Sequence, residues 1–469
     1  MPSNAQALYD EVLNSITKQD IVSRFARIEK ENYQNDNRFD FDFRWKRQRE
    51  EYDKIAHELY DNSLLTAENL RELIKIECIS SYPFGKVLAE QMSAEEQISF
   101  IEKYVEILNQ EKDATISILC DFVSSINDDT FDEVLPTLQK ARITSTVFAC
   151  MGTRNITPEN PAYELMHKLV EEQKSDTEAY LQYWTRINLN ILTEEHLLKL
   201  FSDVLSFVDG FPIAIKMISF LLLGNRGTSY PSLFELAENS LIEYHQSGKS
   251  LLAVDNAMMI SMVLLRGGKR KSLAGIINES ILQYFVNSDT YLGHSYEIEE
   301  VYRILMNLYF DIIWPSLSQA LLSEGEEFMT YYHLKEFLGV DLVDGTKPII
   351  MEGNHFAEML EWCKNHPDIA PVRLASMIQV VGENEQFSPE ALTLIDYFGD
   401  RDYVLDEIGC TLDSFFSVGS VVPYYEKRKR IYSSILQHPK LKVREWGQRQ
   451  IKACDYYIQN ALTREEEKI

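Results

Sequence analysis

The stretch HPDIAPVRL at 366–374 returns as HPKLKVREW at 438–446. Each copy opens on a His-Pro turn and runs into a Val-Arg pair, Val372-Arg373 in the first and Val443-Arg444 in the second. Between them Gly399-Asp400-Arg401-Asp402 leads into Val404 and Leu405, a degenerate third copy. The three valines lie 32 and 39 residues apart, the spacing of helix-pair repeats in which a turn precedes a helix whose first apolar residue packs inward. One helix pair cannot bury its apolar face alone, so neighbouring pairs must stack.

Working outward, the rhythm stays helical. In TEEHLLKLFSDVLSFV, residues 193–208, the apolar positions Leu197, Leu198, Phe201, Val204, Leu205 and Val208 form the stripe of an amphipathic helix. Ser93 with Glu96 and Thr130 with Glu133 match the capping box. Thr157-Pro158 and Ser388-Pro389 each place a capping oxygen before a first-turn proline. The breaks, near 31–42, 151–161, 224–231, 266–271 and 382–388, are short and polar. Only 19 of 469 residues are glycine and 14 are proline, which disfavours a turn-rich all-β fold.

Two segments depart from the pattern. Phe39-Asp-Phe41-Asp-Phe43-Arg-Trp45 alternates with period two, which predicts an extended piece with one aromatic face. As structure it straps an N-terminal helix to the body; as function Phe39, Phe41, Phe43 and Trp45 anchor a partner. Residues 339–354 carry β-branched residues around Asp344-Gly345, which predicts a small β-hairpin insertion.

The turn-then-Val-Arg pattern resembles the HEAT/armadillo class of α-solenoids. That resemblance implies an all-α fold, a right-handed α-solenoid of HEAT-like helix pairs. The expected organisation is an N-terminal helical cap with the extended aromatic segment over 1–60, a helical repeat body over 61–337 and C-terminal HEAT-like repeats over 338–469. FGDRDYVLDEIG, SVGSVVPYY and HPKLKVREWGQRQIKACDYYIQNALTREEE, between 398 and 467, also resemble the C-terminal helical region of bacterial defence-associated proteins. In many of those, repeats that sense a phage component follow an NTPase or effector domain. This chain carries no recognisable domain of that kind, so the resemblance implies at most a sensor role in antiviral defence.

Charge sets the partner expectation. Against 46 lysines and arginines stand 73 acids, a formal charge of −27, which repels phosphate backbones and favours a protein with a basic surface. Tyrosine pairs such as Tyr424-Tyr425 are candidate anchors. Nucleic acid is disfavoured; its candidate contacts are Arg266, Lys269, Arg270 and Lys271 in one cluster and Lys427, Arg428, Lys429 and Arg430 in another, beside the same tyrosines. The N-terminus shows no signal peptide and no stretch is apolar enough for a membrane span, so the expected location is the cytoplasm. The six scattered cysteines read as buried free thiols.

Local chemistry is absent. Gly268-Lys269 lacks the first glycine and the hydroxyl of a phosphate loop, where Val263 and Arg270 stand. His57-Glu58 is followed by Asp61 where a helical zinc protease needs its second histidine. His355, Cys363 and His366 supply three ligands where zinc takes about four. Val418-Gly419-Ser420-Val421-Val422 lacks the second glycine of a nucleophile elbow. The expectation is therefore a non-catalytic protein-binding scaffold or sensor without cofactor or metal; the alternative is a nucleic-acid-binding or nucleic-acid-processing helical-repeat protein.

Overall fold

The computed structural model describes residues 20–34, 41–76, 84–223, 230–287, 295–325, 328–339, 347–382, 385–413 and 420–466. The chain divides into two compact units, residues 1–217 and 218–469. The first carries α1 Ile21–Gln34, α2 Phe41–Asp61, α3 Ala67–Leu73, α4 Phe84–Glu90, α5 Ala94–Gln110, α6 Ser117–Val123, α7 Asp128–Leu138, α8 Thr146–Thr153, α9 Glu164–Glu171, α10 Ala179–Trp184 and α11 Glu194–Leu205. Helix α12, Gly210–Leu223, contains the division. The second unit carries α13 Pro231–Gln246, α14 Ala257–Leu265, α15 Lys271–Asn287, α16 Tyr296–Leu308, α17 Phe310–Ala320, α18 Phe328–Leu338, α19 Phe356–Asn365, α20 Ala370–Ala375, α21 Pro389–Phe398, α22 Asp402–Asp413, α23 Val422–Ser433 and α24 Leu441–Glu466. Among the described residues the only extended pairing is an isolated antiparallel bridge between Val381 and Phe387.

Many helices pack on the helix two places along the chain, while α23 packs on α24 directly after it. In the first unit α2, α4, α6, α8 and α10 form one row, and α1, α3, α5 and α7 another. In the second, α13 packs on α15, α15 on α17, α14 on α16 and α20 on α22. Isolated helices shorter than about 12 residues are marginal in water, so the six- to eight-residue helices of the first row rely on burial. In α8 every residue from Thr146 to Gly152 is buried. The alternate helices α3, α5, α7, α9 and α11 each begin with acid, from Glu68 through Glu95, Asp128 and Glu164 to Glu194, whereas α4, α6, α8 and α10 have none in the first turn. Those carboxylates complement the helix dipole at exposed N-termini.

Side chains tie each layer to the one before it. The Arg142 amide donates to Asn109 Oδ1 at 2.5 Å, and the Asn188 amide to Asn155 Oδ1 at 2.8 Å, both across 33 residues. Arg154 donates to the Val123 and Ile126 carbonyls at 2.9 and 2.7 Å and pairs with Asp128. In the second unit Arg401 reaches the Pro367 carbonyl and Asp368, and Lys442 the Asp400 carbonyl at 2.8 Å. Cations thus satisfy carbonyls that helix ends leave without intrahelical partners.

Several expected features hold. Ser93 and Glu96 form the full capping box of α5, and Ser388 caps α21 before Pro389. TEEHLLKLF is helical, with a second box between Thr193 and His196. Others need correction. Asn127 caps α7 by accepting the Thr130 amide at 2.8 Å, so Thr130 is a buried third-position residue and not the cap. Thr157-Pro158 lies in a turn, and Asn160 instead caps a short 3-10 helix, Pro161–Tyr163. Val208 lies beyond the end of α11 and is 86% exposed; Ser206 bonds back to the Asp203 carbonyl there.

Phe41, Phe43 and Trp45 are helical in α2 and not extended, while Phe39 lies outside the described residues. Seven alternating residues are outweighed by the strong helix formers of KRQREEYDK that follow, and Phe41 and Trp45 also share the i, i+4 helical spacing. The hairpin is corrected where it is described: Ile349–Met351 is a 3-10 turn with Ile349 and Ile350 buried, and Asp344-Gly345 lies outside the described residues. Pro348 at its start has no N–H to give a ladder. Within the repeat, Val404 and Val443 are fully buried as expected, but Val372 is only half-buried and Arg373 takes the interior place.

Candidate functional site

Helix α15 follows Gly267-Gly268, where Gly268 at φ +66° takes the left-handed turn that glycine adopts without strain. Leu273, Ala274, Ile277 and Ile281 bury one face of the helix. On the other side Ile276, Glu279, Gln283 and Asn287 recur at helical spacing and line two grooves at once. One groove, of about 740 Å³, runs between this ridge and the end of α13, where His245, Gln246, Lys249 and Ser250 contribute. The other, of about 770 Å³, is walled by Leu282, Val286, Ile312, Ser316, Gln319 and Ala320. Amide and hydroxyl groups dominate the polar lining.

Three residues converge in the first groove. Ser280 Oγ lies 3.0 Å from His245 Nδ1, and Glu279 Oε2 lies 3.4 Å from His245 Nε2. Gln283 Nε2 holds the Glu279 carboxylate at 3.1 Å from one turn further along. A carboxylate facing Nε2 favours the tautomer with its proton there, which leaves Nδ1 as an acceptor toward the Ser280 hydroxyl. That hydroxyl has a second acceptor in the Ile276 carbonyl at 2.9 Å. Gly248, at φ +79°, turns the chain after α13 and donates to the His245 carbonyl at 2.9 Å. Beneath the second groove, buried Asn278 is held by Ser316 and Tyr302, each at 2.8 Å.

Of the basic cluster leading α15, Arg270 pairs with Glu238, and Lys271 with Asp311 at 2.8 Å. Lys271 holds the Asp311 carboxyl below its ordinary range. Arg266 and Lys269 are exposed. The second cluster is divided by its helix. Arg428 is 5% exposed and lies over the rings of Tyr424, Tyr425 and Tyr432. Lys429 pairs with Asp455 at 2.5 Å and Arg430 with Glu385, so Lys427 and Arg430 present the outward side. Tyr424 donates to the Leu412 carbonyl at 2.9 Å, and Tyr425 stacks on Tyr457 at 5.0 Å. Both tyrosines are half-buried, with Tyr456 the most exposed of the group at 65%.

No protein-family model matches the chain. No curated protein and no solved structure matches it either. The resemblance of the C-terminal stretch to defence-associated repeats thus has no matching family behind it. No helix among the described residues is long and apolar enough to cross a membrane, and no group of three or more His, Cys, Asp and Glu gathers there. His355 stacks on Phe310 at 4.1 Å, Cys363 is fully buried and His366 is exposed. Burial pushes the Cys363 thiol up to about 12.

The residues that local patterns missed are those that tertiary structure joins. His245 and Ser280 lie 35 positions apart and share no spacing that could nominate them. Cys120 and Cys150, on the adjacent helices α6 and α8, meet within hydrogen-bonding reach in the core, and the Cys120 contact and burial push the Cys150 thiol well up. Cys454 is also buried, Cys410 is exposed, and none of the described cysteines forms a disulfide. Cys78 lies outside the described residues.

Proposed function

We propose that the chain is a protein-binding helical-repeat scaffold whose α15 ridge seats an extended segment of a partner. In this reading each unit coils as a right-handed α-solenoid of HEAT-like helix pairs. The observation that carries it is the pair of grooves sharing Ile276, Glu279, Gln283 and Asn287. Gln283, Asn287 and Gln319 offer donors and acceptors to a peptide backbone, and Leu282, Val286 and Ile312 offer an apolar seat for its side chains. Grooves of several hundred cubic ångströms with a few convergent polar groups are the usual form of a binding site.

Charge selects the partner class. The protein carries −27 overall, and many of its cations are engaged internally, Arg270, Lys271, Lys429 and Arg430 among them. Acidic first turns along α3 to α11 add a field that attracts a basic protein surface and weakens as salt rises. The same engagement of the cations disfavours nucleic acid.

The test is recovery of partners by the tagged chain from its native lysate, at low and high salt and after nuclease, beside Gln283→Trp and Val286→Asp. Both residues are exposed, so the variants fill or charge the grooves and leave the core alone. A nuclease-resistant, salt-sensitive protein partner lost at least about tenfold by both variants supports the reading, since about 1.4 kcal/mol corresponds to that factor. Equal recovery by wild type and variants removes the grooves from the interface.

A further inference from the structure

Ser280, His245 and Glu279 stand in the order of a nucleophile, a base and the carboxylate that orients it. We infer that this cluster is a serine acyl-transfer site that takes carboxylic esters into the groove beside α13, one of the two grooves along the α15 ridge, and its labelling test reads this chemistry independently of partner recovery. Three observations carry it. The hydroxyl-to-imidazole distance is 3.0 Å and the imidazole-to-carboxylate distance 3.4 Å, within the loosened contacts of an unliganded site. The carboxylate is itself fixed by Gln283 at 3.1 Å. All three side chains line one pocket of about 740 Å³, so a reacting carbonyl has a place to sit.

The geometry comes from two helices. Glu279 and Ser280 are neighbours on α15, about 100° apart around its axis, and they reach opposite nitrogens of one imidazole supplied by the end of α13. Glu279 stands half in solvent with its side chain 57% exposed, while the His245 side chain is only 13% exposed. Ser280 Oγ donates to the Ile276 carbonyl at 2.9 Å and lies 3.0 Å from Nδ1; rotation about Cβ–Oγ turns its proton from the carbonyl to the imidazole. Such triads are recognised by these roles and not by order in the chain; here Nδ1 faces the serine and Nε2 the carboxylate, the reverse of the template arrangement.

The steps balance with water as the co-reactant. Ser280 Oγ attacks the ester carbonyl carbon, forming the C–Oγ bond while its proton passes to His245 Nδ1. The carbon–alkoxide bond then breaks and the alkoxide leaves as the alcohol with that proton, giving the acyl-serine. Water adds to the acyl carbon, again losing its proton to His245. The C–Oγ bond breaks, the acid departs and the proton returns to Ser280. Lys249 lines the same pocket, its ammonium 5.2 Å from the Tyr244 ring.

The experiment treats the full chain with an alkyl fluorophosphonate, which joins phosphorus to a serine Oγ as fluoride leaves, and maps the modified peptide by mass spectrometry. One phosphonate per chain on Ser280 is expected, with none in Ser280→Ala. Labelling in His245→Gln should slow at least about 100-fold, the effect of removing a general base. Glu279 is a positioning residue, so Glu279→Gln should lower the maximal labelling rate and leave the half-saturating probe concentration unchanged. Melting curves equal to wild type certify that each variant is folded. An unlabelled wild-type chain, a label on another serine, or an unchanged rate in folded His245→Gln would each overturn the site.

Discussion

Asn109 Oδ1 accepts the Arg142 amide, and Asn155 Oδ1 accepts the Asn188 amide in the same way, each across 33 residues. The asparagines sit where one layer of the first unit ends, and the acceptors fix where the next begins. Asn155 also adopts a left-handed backbone at φ +59°, which asparagine tolerates better than most residues. Asn155→Gly keeps that backbone and deletes the hydrogen bond; Asn155→Ala loses both. The expected costs are about 1 kcal/mol for glycine and about 2 for alanine, read from denaturant midpoints. Equal midpoints for the two variants would mean the backbone conformation contributes nothing.

Arg373 takes the interior place that the repeat pattern assigns to Val372. It is 5% exposed, donates to the Leu321 carbonyl and lies 4.2 Å over the Tyr331 ring. Burial presses its guanidinium below the ordinary arginine range, while Tyr331 and Glu324 act the other way. Arg373→Met keeps most of the volume but leaves a buried carbonyl without its donor. It should lower stability by about 2–3 kcal/mol; Arg373→Lys should recover only part, because an ammonium cannot stack on the ring as a planar guanidinium does.

Trp446 is fully buried and meets Tyr432 edge-on at 5.2 Å and 88°. Trp446→Ala should cost about 3–5 kcal/mol. In stacked repeats each layer contacts only its neighbours, so hydrogen exchange should show α22 to α24 losing protection first while α4 to α10 keep theirs. A uniform loss of protection along the whole chain would contradict the stacked reading of the fold.

Acid should weaken the protein through its paired carboxylates. Arg430 holds Glu385 below the ordinary glutamate range, Lys271 does so for Asp311 and Lys174 for Glu172. A carboxyl whose folded value is lowered contributes stability above its unfolded value, about 4.3 for glutamate and 3.9 for aspartate. That contribution is lost as the pH falls through the folded value. The urea midpoint should therefore drop between pH 6.5 and 3.5, and Glu385→Gln should lower it at pH 6.5 and make the drop smaller. An unchanged slope in that variant would remove the Glu385–Arg430 pair from the acid response.

The sequence by itself determined that the chain is helical and where α5 and α21 begin. Caps and apolar periodicity are local: Ser93 and Glu96 satisfy amides three residues away whatever the rest of the chain does. The tertiary structure decided what local rules leave open. Phe41 to Trp45 joined a helix because the residues after them favour one, and Arg373 turned inward because a carbonyl from Leu321 waited there. The charge of each cation could be counted from the sequence, but not that Arg428 lies among tyrosines while Arg430 faces Glu385. The candidate chemistry depends on the same physics. Stacking α13 against α15 brings His245 to Ser280 and Glu279 from 35 and 34 residues away, a juxtaposition set by packed helices and by no spacing along the chain.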